Sequence, residues 1–295
     1  MFNTIEDYLN ALKKEMQGSD AALLQDAQTD AREHLSLALE AAREKAPTVS
    51  EAEALKPIIE EYGTPEETAS AYQEIERRTS PSLKQVSKPG PGSIWAKIFG
   101  VYIDPRTWGS LLFTFITFVT GIIYFVWVVT GASISVSLLI LIVGVPIAIL
   151  FLLSVQGLTL LEGRLVEALL GERMPRRPLF AQSGLSWLER LKALLTDKHT
   201  WISMLYMLLQ MPLGIVYFTL NIVLITLALS FMAAPVVQIF WNIPVVSLEA
   251  GRVLLPYWVL ILMMIGGFIL LTLTMHLVRA LGWLHGRYAK WMLVS

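Results

Sequence analysis

Asp197 to Phe218 reads DKHTWISMLYMLLQMPLGIVYF. An aspartate, a short polar turn and a tryptophan lead into an apolar run with no further charge. This is the pattern of a membrane helix with a capped start and an anchor at headgroup depth. The stretch has a counterpart. Asp104 to Phe125 reads DPRTWGSLLFTFITFVTGIIYF and aligns with it without a gap. Asp104 answers to Asp197, Thr107 to Thr200, Trp108 to Trp201, Gly121 to Gly214, Tyr124 to Tyr217 and Phe125 to Phe218. All are offset by 197 − 104 = 93 residues. A register kept over that length indicates a duplicated structural unit.

The chain has 295 residues, of which 55% are hydrophobic and 16% charged, and its mean hydropathy is +0.57. Soluble chains carry about 25% charged residues, so a membrane protein is implied. The net charge of −1 conceals two regions. Residues 1–78 hold 17 Asp/Glu against 8 Lys/Arg, which leaves 7 acidic and 15 basic residues for the remainder. A polar acidic part and an apolar basic part are expected to have different surroundings. Having no cysteine, the chain cannot form disulfides, thiolate metal sites or cysteine nucleophiles. The N-terminus is polar and helix-patterned and does not read as a signal peptide.

Residues 1–78 are expected to form a small helical domain. Thr4 caps a helix to about Met16, with Ile5, Tyr8, Leu9 and Leu12 on one face. Ser19-Asp20 opens a second helix to about Lys45. Thr48-Val49-Ser50-Glu51 reads as a capping box for a third, stopped by Gly63. Thr64-Pro65-Glu66-Glu67 starts a fourth, with Ala69, Tyr72 and Ile75 as its buried face. Residues 79–93, rich in Pro, Gly and Ser, form a linker, and Ile94 to Phe99 suits the membrane interface.

Residues 94–295 are expected to cross the membrane four times, in halves of about 94–171 and 187–295. The first pass runs from about Trp108 to Val129, turns at Gly131-Ala132-Ser133, and returns from Ile134 to about Leu153. An amphipathic segment over Leu179–Leu195 lies on the surface. The third pass begins near Trp201 and contains Pro212, and the fourth runs from about Leu254 to Leu277. The fold class is therefore all-α: a four-helix transmembrane protein of two parallel-repeat hairpins with interfacial helices, plus the soluble N-terminal domain. The helix exits Leu161-Glu162-Gly163-Arg164 and Leu284-His285-Gly286-Arg287 extend the repeat, and the extra length of the second half falls around Pro235–Gly266. Basic residues gather in the middle loop (Arg164, Arg173, Arg176, Arg177, Arg190, Lys192, Lys198) and the tail (Arg279, Arg287, Lys290). By the positive-inside rule both termini are expected in the cytoplasm.

Two resemblances follow from these residues. Tyr8-Leu9-x-x-Leu12, the acidic middle helix and Tyr62-Gly63-Thr64-Pro65 with Ala69 resemble the HAAS family of bacterial membrane proteins. The family's usual leucine before the glycine is replaced by Tyr62. That resemblance implies a transcription regulator of the PadR type as partner. The sequence from about 95 to 295, with Asp197-x-x-Thr200-Trp201, Leu205-Tyr206, Pro212-Leu213-Gly214-Ile215, Phe218 and Leu284-His285-Gly286-Arg287, resembles the putative sensor domain of some bacterial histidine kinases. It implies a membrane-embedded signal-input module. Ser295 falls where that family would continue into a kinase, so output is expected to go through a partner.

No HExxH, Walker loop, GxSxG or paired carboxylates occur, and the four histidines are scattered. Within the expected passes there is no Asp, Glu, Lys or Arg, which argues against proton-coupled transport and intramembrane catalysis. No catalytic residue, cofactor or metal site is expected. Asp104 and Asp197 are the sharpest repeated polar pair. Each either caps its helix, with Trp108 or Trp201 as anchor, or salt-bridges Arg164 or Arg287. Asn221 and His276 are candidates for polar contacts between helices. Arg173-Met174-Pro175-Arg176-Arg177 is a basic knot that meets either anionic lipid or the acidic N-terminal domain. The expected partners are the bilayer, a cytoplasmic regulator or membrane protein, and a second copy of the chain. Direct nucleic-acid binding is not expected. The leading function is a non-enzymatic sensor or signalling accessory protein. The alternative is an accessory or assembly subunit of a membrane transporter.

Overall fold

The computed structural model describes residues 2–46, 48–79, 83, 94–138, 140, 144–177, 187–244, 246–248 and 251–294. They are helical apart from loops, one 3₁₀ turn and one short hairpin. In order, the elements are α1 (Ile5–Glu15), α2 (Ala21–Lys45), α3 (Glu51–Tyr62), α4 (Pro65–Thr79), α5 (Ile94–Phe99), a 3₁₀ turn (Gly100–Tyr102), α6 (Pro105–Leu138), α7 (Gly144–Leu170), α8 (Trp187–Thr196), α9 (Lys198–Trp241), β1 (Val246–Leu248), β2 (Gly251–Val253) and α10 (Tyr257–Leu293). Four of them, α6, α7, α9 and α10, are long and apolar enough to cross a membrane, and the protein is a multi-pass membrane protein. The chain divides into two compact units, one of residues 1–86, 126–207 and 286–295, the other of 87–125 and 208–285.

In the first unit, α1–α4 enclose a core of Tyr8, Leu9, Leu12, Met16, Leu23, Ala27, Ala31, Leu35 and Ala69. The helix starts follow cap chemistry. Thr4 and Asp7 form a reciprocal box on α1, and Asp20 caps α2 through Ala22 N. The cap of α3 is Ser50 rather than Thr48. Its hydroxyl accepts from Glu53 N and donates to the Glu53 carboxylate, so the box sits two residues later than expected. Gly63 ends α3 at φ +109, a conformation that favours glycine. On α4, Thr64 and Glu67 exchange backbone and side-chain bonds. The Tyr8 hydroxyl donates to Gly63 O at 2.9 Å and meets Thr68 Oγ1 at 3.0 Å, tying the first helix to the turn before α4. Ile75, expected inside, is exposed.

The same unit corrects the expected first turn. Gly131-Ala132-Ser133 is helical, and α6 continues to Leu138. Ser133 and Ser137 donate to the carbonyls four residues earlier, so their hydroxyls are satisfied within the helix. Gly131 serves packing. A Cβ there would lie 2.3 Å from the Phe151 ring of α7. The return helix also runs past Leu153, through Glu162, Arg164 and Glu167, until Gly171 at φ +76. Thus α7 carries charged residues beyond the expected pass, because nothing in LEGRLVEALL breaks a helix.

In the second unit, α6 and α9 approach at glycines. A Cβ on Gly121 would meet Gln210 O at 2.6 Å and Met211 Cα at 3.0 Å. A Cβ on Gly214 would meet Thr117 O at 2.6 Å and Phe118 Cα at 2.9 Å. Each contact becomes the other under the 93-residue offset, the self-complementary arrangement that a two-fold relation produces. Further along, Gly267 of α10 lies against Ala228 O, where a Cβ would be 2.7 Å away. Relative to α6 and α7, α9 and α10 are each ten residues longer (44 against 34, 37 against 27). The connection is longer too, 242–256 against 139–143, and includes the β1–β2 hairpin paired Val246 to Val253. The surplus of the second half is therefore spread over both helices and the loop. Of the expected surface segment, α8 covers 187–196, and 178–186 lie outside the described residues.

Candidate coupling site

The predicted pair of aspartates begins two helices built alike. Asp104 Oδ1 accepts from Arg106 N at 2.9 Å, and Asp197 accepts from His199 N and Thr200 N, both at 3.1 Å. The Trp108 indole donates to Tyr102 O at 2.8 Å, and the Trp201 indole to Leu195 O at 2.7 Å, each six residues back. Cap and anchor thus brace each entry. Asp104 also makes an ion pair, but with Arg279 at 3.0 Å rather than Arg164 or Arg287. Asp197 places its second oxygen on Thr200, accepting from N and from Oγ1 at 2.9 Å. Arg164 pairs with Glu167 one helical turn on, and Arg287 is exposed on α10. Asn221 Nδ2 donates to Thr114 Oγ1 of α6 at 2.6 Å, a polar link between helices. His276 instead reaches Ile98 O, at the end of α5.

The densest charge constellation lies in the first unit, on the loop after α7. Gly171 ends that helix, and residues 172–177 run as an irregular strap that bends at Arg177. Met174 is fully buried and packs over Gly163, where a Cβ would lie 3.3 Å from Met174 Cβ. Gly286 admits Glu172, whose Cγ would be 2.8 Å from an added Cβ. The glycines of the two Gly-Arg exits therefore hold the strap down.

On this strap sits the N-terminal domain. Arg173 Nη2 donates to Asp26 Oδ2 at 2.7 Å, and Arg173 Nε to Glu76 at 3.0 Å. Arg173 is 3% exposed and Asp26 4%. Asp26 Oδ1 accepts two successive backbone N–H groups, of Arg176 at 2.7 Å and Arg177 at 3.1 Å. Arg177 pairs with Asp30, while Arg176 binds Glu167 at 2.6 Å and Thr79 O at 3.0 Å. Lys290, near the end of α10, reaches Asp20 at 2.7 Å, so that residue both caps α2 and binds the last helix. The Glu167 carboxylate, accepting from the Arg176 guanidinium, raises that arginine's pKa against the opposing effect of burial. A buried pair is strongly destabilised when one partner is removed, because the other charge is then stranded.

Of the two alternatives for the basic knot, the acidic domain is the one it touches in this structure. Arg173, Arg176 and Arg177 were legible as a cluster. Asp26, Glu76 and Asp20 were not, being three among 17 acidic residues. Asp26 is nevertheless flanked by Leu23, Ala27 and Ala31 on the buried side of α2, a position that an unpaired carboxylate would not occupy. The strap also roofs a cavity of about 30 Å³, bordered by Gln25, Gln156, Thr159 and His199. That is room for a water rather than an organic ligand. Beside it, α2, α4 and the three arginines line an open groove of about 560 Å³. Among the described residues no group of three or more metal-ligating side chains is present.

Comparison with curated proteins and with solved structures finds no match. The family described as "Sensor: Putative sensor" matches residues 115–293, from within α6 to the end of α10. Covering more than half of the chain, this match establishes that the protein belongs to the sensor family.

Proposed function

We propose that this is a bacterial inner-membrane signalling accessory protein, with both termini in the cytoplasm, in which the four passes perceive the signal and the acidic N-terminal domain relays it to a cytoplasmic partner. The observation that carries this reading is the buried lock of Asp26 on Arg173 and the strap amides. It joins a helical domain to the exit of one membrane helix, and Lys290 joins the same domain to the end of another. A change in how α7 or α10 ends alters the lock directly. Closed, the lock covers one side of α2. Open, it frees that side and the strap for a partner. The duplicated entries, each capped by an aspartate and pinned by a tryptophan at headgroup depth, suit a bundle that reports on the bilayer or on a lipophilic molecule.

Crosslinking mass spectrometry in whole cells tests this on the wild type and on Asp26→Asn. The reading expects a cytoplasmic regulator crosslinked to residues of the N-terminal domain, enriched in the variant. A permease crosslinked to the membrane helices equally in both forms supports a transporter subunit instead. Recovery of neither counts against the sensor reading.

A further inference from the structure

Asp26 does not merely face an arginine. Its two oxygens fill an oxyanion seat. Arg176 N and Arg177 N converge on Oδ1 at 2.7 and 3.1 Å, and the Arg173 guanidinium closes on Oδ2 at 2.7 Å. Successive backbone N–H groups beside a guanidinium make an anion-binding nest, and such nests recur at phosphate sites. Asp26 is not the only group that shapes the nest. The buried Met174 and the fixed φ of Pro175 set the strap's course over Gly163, and Glu167 holds Arg176 from the membrane-helix side.

The seat's location bears on its ligand. At 27 residues, α7 is about 40 Å long, roughly the thickness of a bilayer with its headgroups. The strap begins two residues past the end of α7, so it lies at headgroup depth. Anionic lipids concentrate in the cytoplasmic leaflet and attract basic juxtamembrane segments. The same lipids repel a domain carrying 17 acidic against 8 basic residues.

Resting on the proposed lock, we infer that the Arg173–Arg177 nest is a phosphate-binding site for anionic phospholipid headgroups, and that Asp26 occupies it as an internal competitor. Anionic lipid then opens the lock by mass action, pulling on the strap and pushing on the domain at once. The signal at this site is the anionic lipid content of the cytoplasmic leaflet.

The test uses the full chain in nanodiscs. Spin labels on Ser70→Cys and Leu161→Cys report docking, aided by the absence of native cysteine. Hydrogen exchange at the Arg176 and Arg177 amides reports occupancy of the nest. In phosphatidylcholine the wild type is expected to give one narrow distance, and added phosphatidylglycerol a growing broad component. Asp26→Asn is expected to be broad already in phosphatidylcholine. There, phosphatidylglycerol re-protects the two amides about tenfold, the size of one charge-assisted hydrogen bond. If Asp26→Asn undocks but phosphatidylglycerol neither undocks the wild type nor re-protects the variant, the lipid site is overturned while the lock stands. If inorganic phosphate in phosphatidylcholine re-protects the amides and phosphatidylglycerol does not, the lipid assignment is likewise overturned. If Asp26→Asn stays docked, the lock itself is wrong.

Discussion

Replacing Asp26 by Asn changes one atom type and leaves the volume intact, which isolates the charge. In the native chain this carboxylate receives three bonds, from Arg173 Nη2, Arg176 N and Arg177 N. The amide oxygen can still accept the two backbone bonds. Its NH₂ group, however, then confronts the Arg173 guanidinium, donor against donor, in a place where Arg173 is 3% exposed. Glu76, on Arg173 Nε, remains and softens the loss. Removing one member of a buried ion pair costs about 3–5 kcal/mol. With Glu76 in place we take the lower end, about 3 kcal/mol, equivalent to a roughly hundredfold shift in the docking equilibrium. Hydrogen exchange on the full chain in phosphatidylcholine nanodiscs reads this directly, since undocking of the N-terminal domain uncovers the Arg176 and Arg177 amides. Both are expected to exchange about a hundred times faster in Asp26→Asn. The double variant with Arg173→Met removes the donor-against-donor clash, at the cost of the Glu76 ion pair, and is expected to recover part of the loss, a coupling that only a direct interaction produces. Unchanged exchange at both amides in Asp26→Asn would refute the reasoning.

Other consequences are more local. Gly267→Ala is expected to lower thermal stability in detergent by about 1–3 kcal/mol, since its Cβ would lie 2.7 Å from Ala228 O, whereas the neighbouring Gly266→Ala meets nothing within 4 Å and is expected to be neutral or stabilising. Burial, then the nearby Asp30 charge, raises the pKa of the Tyr62 phenol; burial, then a hydrogen bond to Asp30, raises that of Tyr72. The stability contributed by these neutral phenols is complete below pH 10 and is lost as pH rises beyond it, so tyrosinate absorbance from both should appear only as the N-terminal domain unfolds. Backbone and side-chain bonds from Thr64 hold the Glu67 carboxyl below its usual value of 4.5. Its contribution is present above that pH and fades as pH falls through the lowered value, so Glu67→Gln should flatten the acid limb of the domain's circular-dichroism titration.

Most of the architecture was legible because membrane helices and caps are local. The run from Trp201 names a helix without reference to any neighbour, and Thr64-Pro65-Glu66-Glu67 names its own start. The errors arose where a local signal had a non-local cause. Gly131 looked like a turn because glycine and serine favour turns in water, but it is small because the Phe151 ring lies against it. Helix α7 was cut short because charges looked like an exit, although Glu162 and Glu167 are both buried in it. The alternatives for Asp104 were not exclusive. It caps and pairs at once, and its partner Arg279 is 175 residues away, a separation that no spacing rule reaches. The coupling site was half visible for the same reason. Three arginines within five residues of the strap advertise their charge together, whereas Asp20, Asp26, Asp30 and Glu76 come from two helices and declare themselves only when folded.

The central claim is that the acidic domain rests on the strap of its own chain. It is tested most directly by crosslinking within one molecule in native membranes. Arg176 Nη1 lies 3.2 Å from Thr79 Oγ1, and the chain contributes no competing thiol. A chain carrying Thr79→Cys and Arg176→Cys, treated in cells with a short bismaleimide, is predicted to give an intramolecular crosslink at high yield, reduced when Asp26→Asn is added. Absence of that crosslink, or its appearance only between two chains, would contradict the account.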